Sequence, residues 1–325
     1  MTNILDRRAL LAGMAVLPPA MLLPASAYAD DAPRVTERGA GYYAMGFGDW
    51  RLVALNDGVR MRPYDTLLTR IAPGRARALY EEQLLGSPQP VSVNAYLIDT
   101  GERRVLVDAG AGTQMEPVLG HIVESLRAAG YQPEDVTDAI ITHGHADHFG
   151  GLLWGESGRA FANATLHVSK AEADYWTSTA EEARAREQDR KTFGQMRRVL
   201  APYGGAGRLK LEATGSPILP GITLDPRPGH SPGTVAVRAT TGGRTVLFLG
   251  DMLHSAEVQF AHPELSISFD ADQDTSAASR KAVLSDAADN GYWLAVAHLS
   301  FPGIGRVRRE GADFRWIATT YGLDA

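Results

Sequence analysis

The chain has 325 residues, 44% hydrophobic and 22% charged, with a formal net charge of -6. That is the make-up of a globular protein, and without a Lys/Arg run to follow phosphates it is not expected to bind nucleic acid. Cysteine is absent, which excludes disulfides, thiolate metal ligands and a cysteine nucleophile.

At the start, Asp6-Arg7-Arg8 opens an apolar run to Leu23 that Pro18 and Pro19 interrupt. The run is too short and broken for a membrane helix. Ala25-Ser26-Ala27-Tyr28-Ala29 then sets small residues where a signal peptidase reads. Residues 1–29 are therefore expected to be an export signal, and the paired arginines resemble a twin-arginine signal. The mature chain would begin near Asp30, work in the periplasm without a stable membrane anchor, and form a single domain over 30–325.

Residues 50–58 read as a strand closed by a turn, and 76–85 as a short helix. Two strands, 91–98 and 104–107, are joined by Asp99-Thr100-Gly101, a hairpin signal. Residues 115–129 have helical spacing and stop at Gly130. A strand over 136–141 follows, then helices over 171–176 and 181–200. Strands are predicted over 222–226, 234–239 and 245–249, a helix over 276–288 and a strand over 292–297. Strands in both halves with helices between them predict two packed sheets with helices outside, a four-layer α/β arrangement.

Directly after Ala139-Ile140-Ile141 comes Thr142-His143-Gly144-His145-Ala146-Asp147-His148. Packing gives no reason for an imidazole or carboxylate at nearly every second position, whereas a loop leaving a buried strand can aim all four at one point. Neutral imidazole and carboxylate suit zinc and similar divalent ions. His230 lies in the turn Pro228-Gly229-His230-Ser231-Pro232-Gly233, Asp251 just past one apolar strand, and His298 just past another. Seven ligands are too many for one tetrahedral ion and suit two. The expected split gives His143, His145 and His230 to one ion, and Asp147, His148 and His298 to the other. Asp251 would bridge, one oxygen to each. Water held between two cations loses a proton near neutral pH and becomes a nucleophile. The expectation is therefore hydrolysis by a metal-bridging hydroxide, with Asp147 and Asp251 as the catalytic carboxylates. Zinc is the default ion; manganese, iron or cobalt suit the same donors.

The His-x-His-x-Asp-His run, with His230, Asp251 and His298, resembles the metallo-β-lactamase superfamily. That resemblance implies an αβ/βα sandwich with a dinuclear centre in its cleft. It gives Asp108, after Val105-Leu106-Val107, the task of orienting a ligand. Gly41-Tyr42-Tyr43, Gly48-Asp49-Trp50, Ala129-Gly130-Tyr131-Gln132-Pro133-Glu134 and His298-Leu299-Ser300-Phe301-Pro302-Gly303-Ile304-Gly305 are similar to the methyl parathion hydrolase group and its lactonase relatives. This closer likeness implies an exported homodimer that hydrolyses small-molecule lactones, aryl esters or phosphotriesters. Organophosphate-specialised members carry an aliphatic residue where His254 stands, and a polar imidazole there favours a lactone or ester. Lactonase or arylesterase is thus the first expectation, with phosphotriester hydrolysis as a side activity, and a dedicated organophosphate hydrolase the second. A non-catalytic exported metal-binding protein is the alternative of a different class. With His254, the expected pocket walls are Leu68, Met115, Trp176, Phe193 and Phe269. His121, His167 and His262 are read as structural or surface residues.

Overall fold

Along each central strand, alternate residues face two different apolar layers, and that alternation stacks the molecule. The computed structural model describes residues 39–321. The first half of the chain lays down one sheet in chain order: β1 (Tyr42–Phe47), β2 (Trp50–Arg62), β3 (Gln89–Asp99), β4 (Arg104–Val107), β5 (Asp138–Ile140), β6 (Thr165–Ser169) and β7 (Leu209–Glu212). β1 to β4 run antiparallel, and β4 to β7 are parallel neighbours. The second half repeats the plan with β8 (Pro217–Leu219), β9 (Ile222–Pro226), β10 (Val235–Thr241), β11 (Arg244–Phe248), β12 (Trp293–Ala295), β13 (Ile304–Glu310) and β14 (Asp313–Ala318). Only β11 and β12 are parallel in this sheet.

Leu52 and Ala54 of β2 point into the core between the sheets, where Tyr96, Val107, Val237 and Phe248 meet them. Val53 and Leu55 point the other way, into a core closed by Ile122, Leu126, Trp176 and Phe193 from helices. In the second sheet, Leu247 and Leu294 turn outward onto Val283, Leu284 and Ala287 of the helix Gln273–Asn290. Helix, sheet, sheet, helix is the order expected from the sequence. Ala40–Ala325 is one compact unit. The expected signal falls outside the described residues. Among the described residues, no helix is long and apolar enough to cross a membrane.

The helix predicted over 115–129 shrinks to Ile122–Ala128. Gly120, in a left-handed conformation with φ 97, interrupts it. The buried Asp57 carboxylate accepts the amides of Ala111 and Ile122 instead. The helix predicted over 181–200 is two helices, Thr179–Arg184 and Glu187–Gly205. The break has a cause: Arg186 donates to Asp189 and to the carbonyls of Ser268, Phe269 and Asp270, which fixes the second helix start against a distant loop. The sequence reading missed β1, β6, β7, β8, β13 and β14. Edge strands such as β14 carry few buried residues and so lack an apolar run.

Candidate metal centre

The metal-binding side chains stand where strands stop. β4 ends at Val107, and Asp108 follows with φ 59, a left-handed conformation that aspartate adopts more readily than most residues. Its carboxylate accepts the amide of Thr142 at 2.8 Å, the Thr142 hydroxyl at 2.9 Å, and pairs with His148 Nδ1 at 2.8 Å. The loop after β5 is thereby tied down, and the His148 ring is turned so that Nε2 faces the cleft. Beyond β11, Gly250 has φ 52, and a Cβ there would run into the Thr142 hydroxyl; only glycine lets Asp251 come so close to the histidine loop. His230 Nδ1 pairs with Asp270 Oδ1 at 2.9 Å, and His298 Nδ1 donates to the carbonyl of Ser92 at 3.0 Å. In each of these three rings, one nitrogen is engaged and the other is directed inward.

Four inward atoms form one set: His143 Nε2, His145 Nδ1, His230 Nε2 and Asp251 Oδ2. His145 Nδ1 lies 3.1 Å from His143 Nε2 and 2.8 Å from His230 Nε2. Asp251 Oδ2 lies 3.5 Å from His143 Nε2 and 3.1 Å from His230 Nε2. Donors about 2.0–2.1 Å from a tetrahedral ion stand about 3.3 Å apart, so this spacing fits a cation. A second set faces the other oxygen: Asp251 Oδ1 lies 2.7 Å from His148 Nε2 and 2.8 Å from His298 Nε2. Asp147 closes it, each of its oxygens 3.9 Å from one of those two rings. Among the described residues, His148 Nε2 and Asp251 Oδ1 are buried and, although 2.7 Å apart, make no aligned hydrogen bond. Buried polar atoms rarely go unsatisfied, and a shared cation would satisfy both. The residues present therefore fit two divalent ions.

Electrostatics separate the histidines. Burial holds His143 well below the usual imidazole value and His145 down to about 3. Burial also opposes charge on His230, but the carboxylates of Asp251 and Asp270 outweigh it and lift His230 to about 9. His148 is raised in the same way by Asp251 and Asp108. Burial works against ionised Asp251, yet the surrounding imidazoles, His298 and His148 first, hold its carboxyl well below the ordinary range. The cluster is built to stay anionic at its centre and to exchange protons for a cation.

Two residues that orient this centre had no signal in the sequence. Asp270 follows Phe269 in irregular chain, and its second oxygen accepts the Ile267 amide. Glu172, on the helix Lys170–Thr177, reads as a surface acid, yet it is buried. It accepts the amides of Gly144 and Gly233, the indole of Trp176 and the hydroxyl of Ser231. It therefore joins the His143–His145 loop to the His230 turn. Only three-dimensional proximity reveals either role.

A cavity of about 500 Å³ opens on the cluster. Of the expected walls, His254, Met115 and Phe269 line it. Leu68, Trp176 and Phe193 do not. Leu68 pairs in a short ladder with Ile267 and packs beneath the floor, while Leu67 reaches the cavity in its place. Trp176 and Phe193 pack against each other with their rings tilted at 58° and centroids 4.7 Å apart, inside the helix-side core. Helical spacing brought Thr192 rather than Phe193 to the opening. His254 stacks on His298, with centroids 4.7 Å apart, and its Nε2 lies 3.4 Å from Asp251 Oδ2. His254, Asp251 and His298 together also form a group able to hold a cation. His167 is buried between Asp138 and Glu212, away from the centre.

Residues 88–298 match the model of the metallo-beta-lactamase superfamily, and the chain belongs to that superfamily. Among curated relatives, it is 29% identical to an N-acyl homoserine lactonase of Bacillus thuringiensis over 219 residues, 59% of this chain and 77% of that protein. It is 30% identical to a Mycobacterium bovis protein named as a probable metallo-hydrolase over 185 residues, 49% of this chain and only 56% of that protein. Among solved structures, the hydrolase AbOPH of the beta lactamase superfamily superposes with a TM-score of 0.84 at 30% identity, covering 88% of this chain and 100% of that one. The dizinc quorum-quenching lactonase AidC, with a product N-acyl homoserine, superposes with a TM-score of 0.80 at 25% identity, covering 87% and 98%.

Proposed function

We propose that this protein is a dinuclear metallohydrolase that opens lactones and aryl esters. The observation that carries the reading is the division of Asp251: Oδ2 faces His143 and His230, while Oδ1 faces His148 and His298. His143, His145 and His230 would hold one ion, and Asp147, His148 and His298 the other, with Asp251 between. Divalent ions bound there would acidify a water and polarise the acyl oxygen under attack. Asp108, Asp270 and the Ser92 carbonyl keep the proton on the outward nitrogen of their rings, leaving the inward one as donor. Asp147, the more open of the two carboxylates, lines the cavity and is positioned to exchange a proton with bound substrate. The lactonase relatives support the substrate class, and the dizinc centre of AidC supports zinc as the ion.

The second reading, a dedicated phosphotriesterase of the methyl parathion hydrolase group, rests on the sequence strings similar to that group. His254 argues for the lactonase: the ring lies at the cavity wall, and burial holds it to about 4, against the pull of Asp251, so it stays neutral and polar. Export and homodimeric assembly belong to the same reading. Metal-reconstituted mature protein should be assayed on aryl lactones, acyl-homoserine lactones, aryl esters, phosphotriesters and a cephalosporin. Lactone turnover above all others is the expected result. Two bound ions with no ester or lactone turnover would replace the enzyme with a metal-binding protein. In H254L the phosphotriester-to-lactone ratio of kcat/KM should rise; an unmoved ratio removes His254 as selector.

A further inference from the structure

On β2 the polarity of alternate residues is inverted. Val59 and Met61 are 46% and 60% exposed, while Arg60 and Arg62 line the cavity. The cause is a bulge between Asn56 and Gly58 in the β2–β3 ladder. One extra residue flips every later side chain to the opposite face. After it, Arg60 lies opposite Val91, which also lines the cavity. Without it, Val59 and Met61 would take the inward places.

Arg60 Nη2 is engaged by Glu116 at 2.6 Å. Its Nη1 is buried, lies 4.0 Å from Asp147 Oδ2 and makes no hydrogen bond among the described residues. The Arg62 guanidinium stacks on Phe269, 5.7 Å from the ring centre. Such stacking occupies the face of the group and leaves its N–H edge available. Glu187, Lys191 and Asp189 also line the opening, Asp189 held by Arg186 at 2.7 Å, and Asp147 and Asp251 belong to the metal cluster. Leu67, Val91, Val93, Met115 and Phe269 give the same cavity an apolar wall. A neutral ligand would fill that wall and leave the buried Arg60 Nη1 without an acceptor, an unfavourable arrangement.

We propose that the cavity selects lactones or esters that carry a separate carboxylate, held by Arg60 Nη1 and the Arg62 guanidinium while the remaining chain lies on the apolar wall. This rests on the hydrolase reading above. Hydrolysis adds one water across the acyl C–O bond, giving a carboxylate and a hydroxyl and releasing one proton to solvent; the recognised carboxylate is unchanged. The test uses two lactones that differ only at the end of the side chain, a carboxylate or its primary amide. The metal-loaded wild type should prefer the carboxylate, mainly through KM, and added salt should erode that preference. R60Q and R62Q should each lower the carboxylate-to-amide ratio of kcat/KM by about tenfold, as expected for loss of a charge-assisted bond. R62K, which keeps charge but not the fork, should retain part of it. Calorimetry with a carboxyl-bearing γ-lactam, whose unstrained amide resists hydrolysis, should show binding that weakens in R62Q. A wild type indifferent to the carboxylate, or variants that slow both lactones equally, would overturn the proposal and leave the arginines as supports for Glu116 and Asp147. If neither lactone is hydrolysed the hydrolase reading fails, and lactam binding still decides the anion site.

Discussion

Changing Glu172 to Gln perturbs the brace between the two histidine-bearing loops with almost no change of volume. The carboxylate offers two acceptor oxygens. Oε1 takes the Gly144 amide at 2.6 Å and the Trp176 indole at 2.7 Å, Oε2 takes the Gly233 amide at 2.9 Å, and the Ser231 hydroxyl lies within 2.7 Å of both. An amide keeps one acceptor, and however it is turned its NH2 faces N–H donors. One or two charge-assisted hydrogen bonds are lost, at about 1.5–3 kcal/mol each, so the variant should be less stable by about 2–5 kcal/mol. For a domain of this size that lowers Tm by roughly 3–8 °C. Because Gly144 lies between His143 and His145, and Ser231 follows His230, the same change should loosen the three proposed histidine ligands of one ion. Affinity there should fall by about 10–100-fold, the usual cost of losing a group that orients ligands. Calorimetric melting of metal-free protein reads the first effect, and competition with a chromophoric chelator reads the second. Unaltered melting together with unaltered zinc affinity would refute the brace.

Asp251→Asn leaves one good donor oxygen where two are needed, so bound metal in desalted protein should fall from about two equivalents to about one; elemental analysis by mass spectrometry counts it. Asp270→Asn removes the acceptor that orients His230, and metal affinity should fall by about 10–100-fold, measured by the same chelator competition. His230 is held near 9 because Asp251 and Asp270 outweigh its burial, so at pH 7.5 it binds a proton that an incoming cation must displace. Apparent affinity should fall as pH drops below that value, by up to about tenfold per unit for each proton released. Titration of zinc in two buffers of different ionisation heat should give different heats; equal heats would contradict the assignment.

Local chemistry made the centre legible in the sequence. An imidazole or carboxylate at nearly every second position after Ala139-Ile140-Ile141 has no packing use, and His230, Asp251 and His298 each follow an apolar strand. The apolar runs of β3, β4, β5, β10 and β11 were legible for the same reason, since burial on both faces writes itself into consecutive residues. What the sequence could not carry were groups that act only by distant contact. Glu172 and Asp270 look like ordinary surface acids until the fold brings them against Gly144 and His230. Trp176 and Phe193 share the composition of a pocket wall, and only helix rotation buries them in the core. The bulge at Asn56–Gly58 is a property of pairing between β2 and β3, so no reading of β2 alone turns Arg60 and Arg62 inward. Residue type and short-range spacing determined what this chain can bind; long-range register decided which side chains meet it, because the direction of a side chain depends on partners far away in the chain.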